Sequence, residues 1–251
     1  MTSSLIVSRL RAAGCVFAED EAQLLIEAAT SPADLAAMVD RRVDGLPLEH
    51  ILGWVEFLGL RIAVDPGVFV PRRRTEFLAL QAVELAGPGA VVVDLCCGSG
   101  AVGAALAAAL PDLDLSAVDI EPAAVRCARR NLGGKVYEGD LYAPLPATLR
   151  GRVEVLVANA PYVPTDAVGL MPPEARLYEP LVALDGGADG LDVLRRVIAA
   201  APEWLAPAGR LLFETGVDQA PAAMATVRGA GLSPRVVHDE EIGATVVIGT
   251  H

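Results

Sequence analysis

Two short stretches of the 251-residue chain carry groups that could do chemistry. VANAPYVPT, residues 157 to 165, runs apolar residues into Asn159, Ala160, Pro161 and Tyr162. An asparagine side-chain oxygen and the next backbone carbonyl can together accept both hydrogens of a planar NH2 group. Held that way, the nitrogen turns out of conjugation and aims its lone pair at an electrophile. Tyr162 offers a flat wall for stacking, and Pro161 limits how far the loop can relax. No strong base is needed, because the proton becomes acidic as the nitrogen gains positive charge. Positioning alone can be worth roughly 7 to 11 kcal/mol of barrier. The bland alternative is that Asn and Pro simply end a strand.

The second stretch is DLCCGSGAVG, residues 94 to 103, lying between an apolar run and a helical pattern. Its Gly98-x-Gly100-x-x-Gly103 matches a dinucleotide fingerprint, and Asp119 stands where an acid that holds a ribose is expected. Asp94 separates the possible ligands. A pyrophosphate wants bare backbone N–H groups at the helix end and would be repelled by a fixed carboxylate. The methionine part of S-adenosyl-L-methionine carries an ammonium and a sulfonium instead, and an acid there suits it. Asp119 would take the ribose hydroxyls, and Asp140 of EGD could reach the adenine amine. Three acids ending three successive strands around one crevice favour adenosylmethionine over a nicotinamide dinucleotide. A tight turn with no ligand, and acids that only cap, stay as alternatives.

These residues need a scaffold. Residues 5 to 53 read as helices, with Glu19-Asp20-Glu21 favouring one start and Ser31-Pro32 another. VEFLGLRIAVDPGVF then gives two short strand-like runs broken at Gly59 and Asp65-Pro66-Gly67, a hairpin leading out of the helical unit. From FLALQAVELAG onward, strand and helix alternate: AVVVDL, LSAVDI, KVYEGD, VEVLVANAPY and GRLLFETG with helices between them. That alternation predicts a parallel sheet covered on both faces. PRVVHD and ATVVIG are too close for a helical crossover and are expected as an antiparallel hairpin at the sheet edge.

Composition bounds the rest. Hydrophobic residues at 53% and charged residues at 21% describe a soluble globular chain and exclude disorder. Charges and prolines break every apolar run short of a membrane span, and MTSSLIVSRLRAAG lacks the form of a signal peptide, so cytoplasm is the expected compartment. Cys15, Cys96, Cys97 and Cys127 show no two-residue spacing, and His50, His238 and His251 are scattered, so no metal is expected. A net charge of -12 with a single lysine, Lys135, argues against direct nucleic-acid binding. Arg72-Arg73-Arg74 is one candidate for a local basic patch, and it reads first as a solvated turn.

Taken together, the residues resemble the protein N(5)-glutamine methyltransferases that modify the Gly-Gly-Gln glutamine of peptide chain release factors. PLEHILGWVEFLGLRIAVDPGVFVPR resembles that family's linker, DLCCGSG its donor loop, NAPY its Asn-Pro-Pro-Tyr, and RLYEPLVALDGGADGL its C-terminal half. The resemblance implies a class I methyltransferase fold: a seven-stranded, doubly wound, mostly parallel α/β sheet with an antiparallel last strand. It divides the chain into a helical substrate-recognition domain (1–53), a hairpin linker (54–74) and a catalytic domain (75–251). It assigns the acceptor amide to Asn159, Ala160, Pro161 and Tyr162. It assigns S-adenosyl-L-methionine, and S-adenosyl-L-homocysteine as product, to Asp94, Cys96, Cys97, Gly98, Ser99, Gly100, Asp119, Ile120, Asp140, Leu141 and Asn159, with Phe69 and Arg72 lining the pocket from the linker. A release factor, met as a monomer, is the implied partner. The alternative readings are methylation of an exocyclic amine of RNA or DNA, and a nicotinamide oxidoreductase. Four departures from the family pattern stand out: Ala160 for a proline, Cys96-Cys97 for a glycine and a small residue, PRRRTE for Pro-Arg-Pro-Glu-Thr-Glu, and a helical domain shorter than usual.

Overall fold

Four helices open the chain, α1 Ser3–Ala12, α2 Ala18–Ala28, α3 Pro32–Val43 and α4 Leu48–Leu52, in a computed structural model that describes residues 1–251. Ile6 and Leu10, then Ala18, Ala22 and Leu25, then Met38 and Val39 are buried together in a core of their own. The first two sets recur at the three- or four-residue spacing that keeps side chains on one helix face, and Met38 and Val39 follow Leu35, packed on the same core, by three and four residues. Glu19, Asp20 and Glu21 fill the first turn of α2, at the positive end of its dipole. The Ser31 hydroxyl accepts the Asp34 N–H at 3.1 Å and caps α3, with Pro32 in its first turn.

Strands β1 Trp54–Phe57 and β2 Leu60–Ala63 pair antiparallel as the expected hairpin. Its two turn residues, Leu58 and Gly59, have φ of 50° and 74°, both in the left-handed region that a tight two-residue hairpin demands. Beyond β2 the chain has no regular structure until residue 75, yet Val64, Val68 and Val70 are buried against Ala124 and Cys127. The stretch is a fixed strap rather than a loose tether.

The main sheet holds β3 Val91–Leu95, β4 Asp114–Asp119, β5 Lys135–Glu138, β6 Val153–Ala158, β7 Leu205–Glu214, β8 Ser233–Asp239 and β9 Ala244–Thr250, in the order β5-β4-β3-β6-β7-β9-β8. Strands β3 to β7 are parallel, and β9 runs antiparallel to both β7 and β8. Helices α5 Thr75–Leu85, α6 Ala101–Ala109, α7 Pro122–Leu132, α9 Asp192–Trp204 and α10 Ala220–Gly229 pack around it, and the short α8 Pro173–Tyr178 lies in the β6–β7 crossover. Val93, Leu95, Leu156, Ala158, Leu211 and Phe213 face one core, whereas Val92, Val155, Val157 and Leu212 face the other. Period-two alternation between two apolar layers is why these strands read as continuous apolar runs. Each such side chain contributes about 1.5 to 3 kcal/mol by leaving water.

The last strand inserts between β7 and β8 rather than adding at the edge. Six of its seven residues, Ala244 to Gly249, are buried, whereas β8 alternates with exposed positions. The more polar strand therefore takes the edge, where unpaired backbone faces water. No helix is long and apolar enough to cross a membrane.

Polar contacts bind the helical unit to the crossover. Arg42, only 9% exposed, pairs with Glu21 at 2.6 Å and with Glu174 of α8 at 3.0 Å. The Tyr178 hydroxyl donates to the Asp44 carbonyl at 3.2 Å. Glu179 follows at once, buried, accepting the Val70 N–H of the strap at 3.1 Å and pairing with Arg72.

Candidate active site

In the sheet order, β3 has β4 on one side and β6 on the other, so the crossovers leave in opposite directions and open a crevice at the carboxyl ends of β3 and β6. Asp94, Asp119 and Asn159 come from the ends of β3, β4 and β6. All three line one cleft, together with Phe69, Cys96, Cys97, Gly98, Ser99, Ile120, Asp140, Leu141 and Pro161.

The loop after β3 is held in an uncommon shape. Cys96, Gly98 and Gly100 have φ of 55°, 56° and 81°. A non-glycine residue such as Cys96 in that region costs on the order of 1 to 2 kcal/mol. Gly100 does not line the cleft; it presses the loop onto α7, where a Cβ would sit 3.1 Å from Leu132 and 3.3 Å from Ala128. Asp119 braces the loop by accepting the Gly98 N–H at 2.8 Å and the Glu121 N–H at 2.9 Å. Asp94 accepts the Gly103 N–H at 3.1 Å from α6.

The electrostatics are lopsided. Asp94, Asp119, Glu121 and Asp140 line the cleft against one base, Arg196. Burial pushes the Asp94 carboxyl up to about 7, with the Asp119 charge adding to it; burial also raises Asp119. Both thiols are held up by burial and then by Asp119 and Asp94, so Cys96 and Cys97 remain neutral and weakly nucleophilic. The Ser99 hydroxyl is buried in the cleft wall with no partner in the protein. A cationic ligand with polar atoms of its own fits this wall: it would relieve the carboxylates and satisfy the serine. A pyrophosphate would add charge of the same sign. Asp140 is ion-paired with Arg196 of α9, a partner that no local sequence pattern announces.

A smaller pocket adjoins the cleft and shares Phe69, Thr75, Asn159, Pro161 and Ala183 with it. Ala160, Tyr162, Arg72, Arg74 and Glu214 line only this second pocket. Arg72 thus lies outside the larger cleft, drawn aside by the buried carboxylate of Glu179 and packed over Phe69 at 4.8 Å. Asn159 Oδ1 and the Ala160 carbonyl accept no hydrogen bond from the rest of the chain. Two free acceptors therefore stand where the spaces meet. Tyr162 donates its hydroxyl to Glu214 at 2.6 Å. Burial, reinforced by the Glu214 charge, holds that phenol protonated well above its usual range.

Glu214 and Thr75 were not singled out from sequence, and Arg74 only as part of a candidate basic patch. The signal was present for one of them: Glu214 ends β7 just as Asp94 and Asp119 end their strands. It is 2% exposed and accepts from Thr75 at 2.7 Å and from Arg74 at 2.9 Å. Arg74 supplies the positive partner for that buried carboxylate.

The fold is shared with a methyltransferase from Pyrococcus furiosus, 15% identical, at a TM-score of 0.59 over 86% of this chain and 98% of that one. A family model described as "Methyltransferase small domain" matches residues 59–171, which contain the glycine loop and Asn159. The sheet order is that of the methyltransferase fold, and the matched segment is the part of it that carries the candidate site. The release factor glutamine methyltransferase of Geobacter sulfurreducens is 39% identical over 227 residues, 87% of this chain and 79% of the relative. That of Gloeobacter violaceus is 39% identical over 200 residues, covering 76% and 69%. The chain belongs to the release factor glutamine methyltransferase family.

Proposed function

We propose that the protein transfers a methyl group from S-adenosyl-L-methionine to the side-chain amide nitrogen of a glutamine in a peptide chain release factor, leaving S-adenosyl-L-homocysteine. The observation that carries this reading is the pair of unclaimed acceptors, Asn159 Oδ1 and the Ala160 carbonyl, at the junction of an acidic cleft and a second pocket. Asp94, Asp119 and Ser99 would hold the donor, with Phe69, Cys96, Cys97, Gly98, Ile120, Asp140 and Leu141 around it. Bound there, the donor supplies an electrophilic methyl group on a sulfonium.

The chain's own residues do the rest by placement. Asn159 and Ala160 take the two amide hydrogens and fix the plane of the NH2 group. Tyr162 and Phe69 bound the acceptor side chain, and Pro161 keeps the loop from yielding. The amide proton becomes acidic only as the nitrogen is alkylated, so the acceptors need only be oriented. Residues 1–53, which expose Leu5, Val16 and Phe17, and the linker 54–74 would meet the protein substrate, and 75–251 would catalyse.

The test offers donor labelled in its methyl group to release factors, ribosomal proteins and nucleic acids separately, and locates the label by mass spectrometry. Label on a glutamine side chain is expected, and Asn159→Ala should bind donor normally while losing transfer by orders of magnitude. Label confined to a nucleic-acid amine would replace this reading.

A further inference from the structure

We propose that Glu214 and Thr75 are positioning residues that decide which way the Asn159 amide faces, a proposal resting on the reading that Asn159 Oδ1 takes the acceptor's N–H. The argument is one of donor and acceptor counting. A carboxylate only accepts. Buried Glu214 therefore takes the single proton of the Thr75 hydroxyl, whose oxygen is 2.7 Å from Oε2. With its proton committed, Thr75 has only lone pairs to offer a neighbour. The neighbour is the Asn159 side chain, whose Nδ2 lies 3.5 Å from Thr75 Oγ1.

Only the NH2 end of that amide can answer a lone pair. Turned the other way, Asn159 would set oxygen against oxygen at Thr75 and present two N–H groups to the incoming amide, donor against donor. The relay from Glu214 through Thr75 thus selects the orientation with Oδ1 facing the junction of the two pockets. The contact is long, so the discrimination comes mainly from the repulsion in the wrong orientation rather than from the strength of the right one. Glu214 fixes the second wall as well, since its Oε1 accepts from Tyr162 at 2.6 Å. Arg74, 2.9 Å from that same oxygen and 5.6 Å from the centre of the Tyr162 ring, keeps the buried charge paired. One carboxylate therefore orients both the polar and the aromatic side of the acceptor pocket without touching the reacting atoms.

Thr75→Val removes the hydroxyl and keeps the shape; Thr75→Ser keeps the hydroxyl and removes a methyl group. Steady-state transfer, donor titration and thermal melting are measured for both beside the wild type. Thr75→Val is expected to lower kcat on the order of 10²-fold, the size of effect that misplacement of a reacting group produces. KM should change far less than kcat, donor affinity should not change, and Thr75→Ser should restore most of the rate. Glu214→Gln gives a second reading: its NH2 can donate to Thr75, reversing the hydroxyl, so kcat should fall again with donor binding intact. Equal kcat for wild type and Thr75→Val overturns the relay. So does a Thr75→Ser enzyme as slow as Thr75→Val, which would trace the loss to packing. Should the wild type methylate a nucleic-acid amine instead of a glutamine, the functional reading falls, while the same comparison of variants on that amine still decides the relay.

Discussion

Replacing Asp94 by Asn should abolish a pH dependence of donor binding that the wild type must show. Asp94 is 1% exposed, and burial with the Asp119 charge pushes its carboxyl from 3.8 up to about 7. An acid raised in this way binds its proton more tightly in the folded chain, so the free fold loses stability as pH rises from about 3.8 toward about 7. A bound cation reverses the preference and favours the carboxylate. If the complex holds Asp94 ionised throughout, affinity follows the ionised fraction of the free protein. That fraction is about one-eleventh at pH 6 and about ten-elevenths at pH 8, so binding should tighten about tenfold, or roughly 1.4 kcal/mol. Near pH 7, calorimetry in two buffers of different ionisation enthalpy should detect about half a proton released per donor bound. The donor's own amino group titrates at roughly 7.7 to 8.0, and Asp94→Asn retains that contribution together with that of Asp119, which burial also raises. The difference between the two profiles isolates Asp94. Identical profiles for wild type and Asp94→Asn would refute the reasoning.

Two further substitutions probe the supports of the site. A Cβ at Gly186 would lie 2.5 Å from the Gly190 carbonyl and 2.7 Å from that of Pro161, so Gly186→Ala should displace the loop that carries Ala160. Transfer should fall on the order of 10²-fold with donor affinity within about twofold, measured by turnover and titration. Arg42→Ala would leave the half-buried Glu21 without its partner, a loss that approaches the roughly 3 kcal/mol lower end for breaking a buried pair; the helical unit should unfold at a lower denaturant concentration, followed by circular dichroism.

The layered fold was legible because two periodicities, one for strands and one for helices, run through the sequence from residue 91 onward, and the glycine loop with its three strand-ending acids marked the crevice. Asn159 was legible for the same reason: β6 is apolar up to Ala158 and then changes character at once. The insertion of β9 between β7 and β8 was not, because a short connection fixes that two strands pair without saying which takes the edge. Nor were Thr75 and Glu214, 139 residues apart in sequence yet sharing a hydrogen bond. Pairings at that separation follow from the closed fold. The exposed linker arginines looked like a solvated turn, and buried carboxylates at 179 and 214 draw two of them inward.

Glu179, which follows α8 and its ties to the helical unit, holds the strap at Val70 and Arg72, and so fixes the side of the Tyr162 pocket that Phe69 and Arg72 line. A pocket with one wall held in this way favours a target slender enough to enter. A side chain embedded in a helix or a sheet would stop short of the methyl group, whereas one at the tip of a yielding, projecting loop would reach it, so the rigidity of the slot sorts proteins by shape before any base or acid acts.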